Sequence, residues 1–437
     1  MAQFRTDKNK IDSGQVFTRY EVNMLSDSLT PSGAMVDAFG RLRLSQPFTL
    51  FDSSHRFADN GLWVSANTAG NSSVAFVENQ STIHMTVGTT ENAEVIRETT
   101  KVFSYQPGKS LLVMNSVAMS QPKANLRQRV GYFGQSNGIY LENDGTTNYL
   151  VLRSNTSSTV TETRVPQSNW NIDKFDGTGY STQIGGADHI NGLDISKTNI
   201  FWMDIEWLGV GDVRCGFVVD GKMVPAHIFH NDNRNVLPYM TTATLPLRME
   251  IKNTGVTTSN STLSQICSTV ISEGGYELYG AQQGIQTPIN SPIDLPTAGT
   301  YYPIISLRLK TTPNRLDAIV ILTALSILGF SNGYYNWQVR ASATTSGETW
   351  VSAADNSAVE YKIGGTGVTG GRVLASGFTA STNQASSPID ILKEALFKFQ
   401  LERNSLTNTP YELTLVATAS VNGADIYASM DWEEITR

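Results

Sequence analysis

The stretch Ile200–His230, IFWMDIEWLGVGDVRCGFVVDGKMVPAHIFH, decides the fold. It reads as three antiparallel strands in succession: Ile200 to Leu208, Val213 to Val219 and Met223 to Phe229. The glycine-flanked turn Gly209-Val210-Gly211 joins the first two. Asp220-Gly221 closes a tight hairpin between the second and third, because both central residues of such a turn need positive φ. A meander this broad and aromatic belongs to a curved β-sandwich sheet. Sheets of that kind either bind carbohydrate or serve as building blocks.

The composition agrees with a β-rich chain of this type. At 437 residues the sequence is long enough for two or three domains with sizeable cores. Charged residues make up 16%, against ~25% in ordinary globular proteins. Ser, Thr, Asn and Gly fill the difference, so much of the surface is polar without being charged. A net charge of −7 and a pI near 5.4 argue against a nucleic-acid partner, which needs a basic face. The two cysteines, Cys215 and Cys267, lie in apolar strand-like runs and read as buried free thiols. The N-terminal residues MAQFRTDKNKIDSG contain no hydrophobic signal core. The longest uncharged apolar run, Ala318 to Phe330, falls short of the ~20 residues of a membrane helix and reads as a core strand. The expectation is a protein made in the cytoplasm, without membrane insertion.

Outward from the meander, residues 1–45 read as an extended arm or attachment segment. The arm ends in Phe39-Gly40-Arg41-Leu42-Arg43-Leu44, whose apolar–basic alternation suits an edge or exchanged strand. Phe39, Arg41, Leu42, Arg43 and Leu44 are therefore candidate assembly residues. Residues 46–280 carry regular strand signals separated by Gly, Asn and Asp turns. Thr99 to Tyr105 and Ser110 to Val117 flank Pro107-Gly108. Ile139 to Glu142 and Tyr149 to Arg153 flank Asn143-Asp144-Gly145, with Ile139, Leu141, Tyr149 and Val151 alternating inward. Further strands are read over Leu245 to Lys252 and Leu263 to Ser272. The polar insertion from Thr163 to Thr198 reads as a surface excursion, and loops of that length are usually functional or interfacial. Residues 281–300, with prolines at 288, 292 and 296, read as an extended spacer. Residues 301–437 read as a smaller β-sandwich with one helix, capped by Ser387 and Pro388 and carrying Ile389, Leu392, Leu396 and Phe399 at helical spacing. The expected fold is all-β: an arm, a concanavalin-like antiparallel sandwich of the jelly-roll type, and a second sandwich.

Candidate chemistry is sparse. Asp204 and Glu206, two apart on an expected strand, would share a face. Glucanases of the concanavalin-like class carry an acid-x-acid-x-x-acid strand, but here Gly209 occupies the third acidic position. Two carboxyls of separate roles, about 5 Å apart, are required for retaining hydrolysis. His227 and His230, three apart, would face opposite sides of a strand and could share an ion only if a bulge intervened. Asn171-Ile172-Asp173-Lys174-Phe175-Asp176-Gly177 has acidic spacing that could ligate calcium but lacks an ordered ligand series. The glycines at 364, 365, 367, 370 and 371 are not a phosphate loop, since no Lys-Ser/Thr follows them. No catalytic residue, metal site or cofactor is assigned. Trp170, Phe175 and Tyr180 are candidates for stacking on sugar or anchoring a partner, since such amphipathic rings favour interfaces.

Several runs resemble a family of bacteriophage virion structural proteins common in phages of aquatic bacteria, including cyanophages. They are Gly40-Arg41-Leu42-Arg43, Gln46-Pro47-Phe48-Thr49-Leu50-Phe51-Asp52, Tyr105-Gln106-Pro107-Gly108-Lys109-Ser110 and Ala124-Asn125-Leu126-Arg127-Gln128-Arg129-Val130-Gly131. Val165-Pro166-Gln167-Ser168-Asn169-Trp170, Glu206-Trp207-Leu208-Gly209-Val210-Gly211 and Glu250-Ile251-Lys252-Asn253-Thr254-Gly255 continue the resemblance, and Gly370-Gly371-Arg372-Val373-Leu374-Ala375-Ser376-Gly377 extends it more loosely. The resemblance implies a particle component, fibre-, tail- or neck-associated, with no catalytic residues to transfer. Together with the arm, it leads to the expectation of a peripheral homo-oligomer in the virion, a trimer, docked to other virion proteins through residues 1–45. The alternatives are a receptor-binding protein for host-surface glycan, or a head decoration protein. A polysaccharide depolymerase is disfavoured.

Overall fold

The computed structural model describes residues 46–68, 70–185, 191–277, 279–381, 389–390 and 399–436. Their strands, numbered in chain order, form two antiparallel β-sandwiches. One sheet of the first sandwich runs β13 (Lys222–Phe229), β12 (Val213–Val219), β11 (Asn199–Ile205), β6 (Ser110–Ala118), β15 (Ser261–Glu273), β4 (Thr82–Val87) and β3 (Ser73–Val77). β15 is 13 residues long, so one of its flanks holds β4 along the first half and β1 (Pro47–Ser54) along the second. The facing sheet runs β10 (Thr161–Pro166), β9 (Thr147–Ser154), β8 (Gly138–Asp144), β7 (Leu126–Phe133), β14 (Leu247–Asn253), β5 (Glu94–Thr99) and β2 (Trp63–Asn67). This is the concanavalin-like, jelly-roll arrangement expected from the sequence. Its core lies between the sheets, where Val113, Phe201, Met203 and Phe217 meet Val130, Ile139, Leu141 and Met249.

In the second sandwich, β16 (Ala281–Gln286) and β17 (Ile293–Leu295) lie along one side of β28 (Ala424–Thr436). β19 (Ile319–Gly329) lies on its other side, followed by β24 (Ile389–Asp390). The facing sheet runs β21 (Val351–Ser352), β22 (Val359–Ile363), β18 (Tyr302–Leu309), β27 (Glu412–Ala419), β20 (Tyr334–Ser346) and β23 (Gly367–Ala380). A ribbon of β25 (Arg403–Asn404) and β26 (Thr409–Pro410) and one short helix, α1 (Tyr180–Gly185), complete the named elements.

The central meander forms as read, with Val219 paired to Lys222 across a turn whose Asp220 and Gly221 have φ of 47° and 75°. Its first strand stops early, at Ile205, because Leu208 and Gly209 both turn into positive φ. In the β8–β9 hairpin Ile139 pairs with Leu152 and Leu141 with Leu150. The inward set is therefore Ile139, Leu141, Leu150 and Leu152, while Tyr149 and Val151 join Phe133 and Tyr140 on the outer face. A one-residue change of register moves every side chain to the other face, which is how the expected grouping went astray. The strands either side of Pro107-Gly108 are not a hairpin. β5 belongs to one sheet and β6 to the other, and the crossing between them is tied down by the Phe103–Leu245 bridge and by the Tyr132 hydroxyl on the Phe103 carbonyl.

Residues 281–300 are not a spacer. β16 pairs residue for residue with β28, from Ala281 opposite Glu434 to Gln286 opposite Ser429. Pro288 and Pro292 fall in the connection to β17, and Pro296 follows it. These strands lie at the sheet margin, where proline is tolerated because no ladder donor is lost. Of the expected helix, Ile389 and Asp390 are strand, and Ser387, Pro388, Leu392 and Leu396 lie outside the described residues, as does the whole arm with Phe39 to Leu44. Both cysteines are free, but Cys267 is exposed, because a register shift after Gln265 turns it outward.

The sandwiches are joined by side chains. Ile319 and Ile321, on the outer face of β19, pack on Val102 of the crossing segment. Val320, Leu322 and Leu325 fill the second core from the other face. Burial on both faces explains the uncharged run from Ala318. Arg403 donates to the Thr99 carbonyl at 2.7 Å and to Glu98 at 2.9 Å, and Gln400 donates to the Val102 carbonyl at 3.0 Å.

The insertion after β10 covers the open edge of the first sandwich. The backbone amides of Ile172 and Asp173 both donate to the carbonyl of Ala226 on edge strand β13. Trp170 and Phe175, each 2% exposed, enter the core against Phe217, with ring centroids 6.2 and 5.1 Å away. Neither is the exposed contact residue expected; their bulk fills the gap at the sheet margin. Of the three, Tyr180 alone is exposed. Trp170→Ala is expected to destabilise the fold by about 3–5 kcal/mol, measured as a lower urea midpoint.

Candidate functional site

Acids and bases face outward from the inner strands of the seven-stranded sheet, at alternate positions. Arg129 of β7 bridges Glu142 of β8, at 2.6 Å, and Glu250 of β14, at 3.3 Å. Arg248 joins Glu250 at 2.7 Å and Glu98 of β5 at 2.8 Å. Arg153 holds Glu162 at 2.8 Å, and Arg164 contacts both Glu142 and Asp144. Phe133 and Tyr140 stand between the guanidinium groups: Arg153 lies 5.6 and 5.1 Å from the two rings, Arg248 5.7 Å from Phe133, and Arg129 5.2 Å from Tyr140. Burial would raise the carboxyl of Glu250, but Arg248 and Arg129 outweigh it and hold the group below the usual range. No sequence feature was singled out for this layer, although charges at i and i+2 in Arg127-Gln128-Arg129 and Arg248-Met249-Glu250 are its signature.

A carboxyl depressed in the folded state stabilises above its unfolded value, near 4.3, and that contribution is lost as pH falls through the folded value. Glu250→Gln should cost about 3–5 kcal/mol at pH 7, because it leaves two buried guanidiniums short of a partner. It should also flatten the loss of stability on acidification below about pH 4.3, read from urea melts at stepped pH.

Asp204 and Glu206 do not form a pair on one strand face. Asp204 points outward from β11 and contacts Arg214 of β12. Burial pushes its carboxyl up, with Arg214 opposing. Glu206 lies past the end of β11, where its amide donates to the Asp212 carbonyl and its carbonyl accepts from the Tyr239 hydroxyl. Asp173 accepts from the amides of Phe175 and Ser181 at 2.8 and 2.7 Å and from the Ser181 hydroxyl at 3.0 Å, which accounts for the acid as a cap of α1. A Cβ on Gly179 would collide with this carboxylate. Asp176 accepts from the amide and hydroxyl of Thr178. Among the described residues no group of three His, Cys, Asp or Glu is placed to hold a metal ion.

The candidate site is a cleft of about 640 Å³ between the margins of the two sheets, where the insertion leaves them uncovered. Leu152, Ser154, Thr163 and Val165 of β9 and β10 form one wall. His227, Phe229 and His230 form the other, and the loop from Asn231 to Tyr239 lies over it. A bulge makes this wall. Cys215 pairs with His227 and Gly216 with Pro225, leaving Ala226 as the extra residue. The bulge shifts the phase of β13, so His227 turns inward with Phe229 rather than outward. His230 lies just beyond the strand end, and the two imidazoles line the same cleft after all.

Nδ1 of His227 accepts the amide hydrogen of Asn171 at 3.3 Å, which places the ring proton on Nε2. Burial, followed by the neighbouring His230, lowers this histidine to about 4, so the ring is neutral at physiological pH. His230 Nδ1 lies 2.7 Å from Asp212, whose other oxygen accepts the Asn231 amide at 3.1 Å. Burial raises the Asp212 carboxyl, but these two hydrogen bonds prevail and hold it below the usual range. Asn235 donates to the Asn231 side chain at 2.8 Å. The root of the loop is fixed by Tyr239 packed edge-on against Trp207, with centroids 4.9 Å apart. Arg234, Asn235, Val236 and Leu237 remain exposed.

Among the described residues no helix is long and apolar enough to cross a membrane. No family model matches the chain, and no curated protein matches it in sequence. Solved structures resemble the chain distantly. A Bacillus licheniformis β-glucanase is 11% identical, covering 50% of this chain and 96% of its own, with a TM-score of 0.32. The CBM2 module of an evolved Dit from Lactobacillus casei BL23 phage J-1 is 7% identical over 54% of this chain and 100% of its own, with a TM-score of 0.34. Peanut lectin is 11% identical over 53% of this chain and 100% of its own, at 0.30. The fold assignment rests on the sheet order and register described above.

Proposed function

We propose that this chain is a non-catalytic carbohydrate-binding protein that takes a glycan into the cleft between β9–β10 and β13. The observation that carries this reading is the lining of the cleft. Apolar side chains and rings (Leu152, Val165, Phe229, Tyr239) are interspersed with polar groups, among them Asn171, His227, Asn231 and Asn235. Apolar surface that carries placed hydrogen-bonding groups is a usual form of a ligand site. Among the described residues no Asp or Glu lines the cleft, so none of them supplies the acid–base pair of glycoside hydrolysis there. Full-length protein on an array of bacterial surface polysaccharides should bind saturably. Thr163→Trp, which fills the cleft from the exposed end of β10, should remove that binding without changing the unfolding midpoint. Binding that survives Thr163→Trp would place the glycan elsewhere.

A second reading is supported by the runs resembling phage virion structural proteins, which reach from Gly40 to Gly255. In this reading the protein is a peripheral homo-oligomer of the tail, neck or fibre, a trimer docked through residues 1–45, and the glycan cleft serves attachment to the host. Purified phage particles decorated with antibody against the two sandwiches should show label at one defined location by electron microscopy. Particles without label would remove the virion reading and leave the glycan reading intact.

A further inference from the structure

The cleft also carries a charge pattern. The chain has 39 acidic and 32 basic residues, yet among the described residues the lining includes Arg234, His227 and His230 and no carboxylate. Arg97, Arg129, Arg153, Arg164, Arg214, Arg248, Arg308, Arg372 and Arg403 sit in ion pairs, whereas Arg56, Arg127, Arg315 and Arg340 lie outside the cleft without an acid partner among the described residues. Arg234 is exposed at the mouth of the cleft, and no acid pairs with it among the described residues. Asp212, behind the wall, is occupied by His230 and the Asn231 amide, and Asp232 of the same loop interacts with Asp212. His227 has its Nδ1 taken by the protein, so Nε2–H is the donor the ring has left to offer.

We propose that the ligand of this cleft is an acidic glycan, a chain bearing uronate or similar carboxylate groups, with Arg234 as the ion-pair partner of the carboxylate and His227 Nε2–H as a second donor. The inference rests on the glycan-binding reading and names its substrate class. A guanidinium presents paired N–H donors that match the two oxygens of a carboxylate, and a partly enclosed cleft limits the screening that weakens exposed pairs. A neutral sugar would leave that matched geometry unused.

The test compares one set of polysaccharides in two forms. Acidic bacterial polysaccharides and polygalacturonate are presented before and after carbodiimide–borohydride reduction, which turns each carboxylate into a primary alcohol on the same backbone. The unreduced polymers should bind, and reduction should weaken binding at least tenfold. Raising NaCl from 50 to 500 mM should weaken only the unreduced form. Arg234→Gln should lose about tenfold in affinity for the unreduced form, and Arg234→Lys should recover part of it. Because Arg234 is exposed, its variants are expected to melt as the parent does, and thermal unfolding checks this. Equal binding of both forms, or indifference to Arg234→Gln, overturns the acidic-ligand proposal and leaves glycan binding standing. If neither form of any polysaccharide binds, glycan binding falls and this inference falls with it.

Discussion

The carboxylate of Glu98 joins most of the structure. It is 2% exposed as a side chain and takes Arg248 from its own sheet at 2.8 Å. From the second sandwich it takes Arg403, at 2.9 Å, and the Ser405 hydroxyl. Two guanidiniums with 7% and 2% side-chain exposure share this one carboxylate, Arg248 with Glu250 as its other partner and Arg403 with Asp317. A buried charge left alone costs several kcal/mol. The sandwiches therefore cannot separate without breaking the Glu98–Arg403 pair and leaving Arg403 to Asp317 alone. The same contact continues the ion-pair layer through Glu250 and Arg129 to Glu142. The outer sheet face and the junction between sandwiches are one electrostatic unit.

Sequence pattern exposed the local features well. Asp220-Gly221 identified a turn because few other pairs tolerate its backbone angles, and the β11–β13 meander follows directly. What stayed hidden depends on residues distant in sequence. Two strand-like runs flank Pro107-Gly108, but their partners lie far along the chain, β14 for β5 and β11 and β15 for β6, so the change of sheet is not written locally. Trp170 and Phe175 sit in a polar insertion, so their neighbourhood suggested surface, yet the uncovered margin beside β13 is an apolar gap that needs filling. Prolines at 288, 292 and 296 hid two strands, because sequence alone cannot tell a marginal strand from a spacer.

The cleft was the least legible part. Strict strand alternation separates His227 from His230, but β13 ends at Phe229, so alternation does not govern His230, while the extra residue Ala226 turns His227 inward. Bulges leave little trace in a single sequence. The Ala226 carbonyl, freed from regular pairing, accepts the amides of Ile172 and Asp173, so the bulge that turns His227 inward also anchors the insertion. Asn171 completes the link, since its amide fixes the His227 tautomer while its side chain exchanges hydrogen bonds with the backbone of Ile228. One irregularity in an edge strand thus opens the cleft, orients its donor and holds the cover beside it.

Strand order has a consequence for synthesis on the ribosome. Among the described residues the strand that pairs with β1 is β15, with Phe51 opposite Val270, about 220 residues later. In the second sandwich β28 lies inside its sheet, between β16 and β17 on one side and β19 on the other, although it is the last strand of that sandwich to be made. Such long-range closure is slow to form. At translation rates of about 5–20 residues per second, β1 waits on the order of ten to forty seconds for its partner. For that interval the nascent chain carries open, apolar sheet edges, and its yield depends on what shields them.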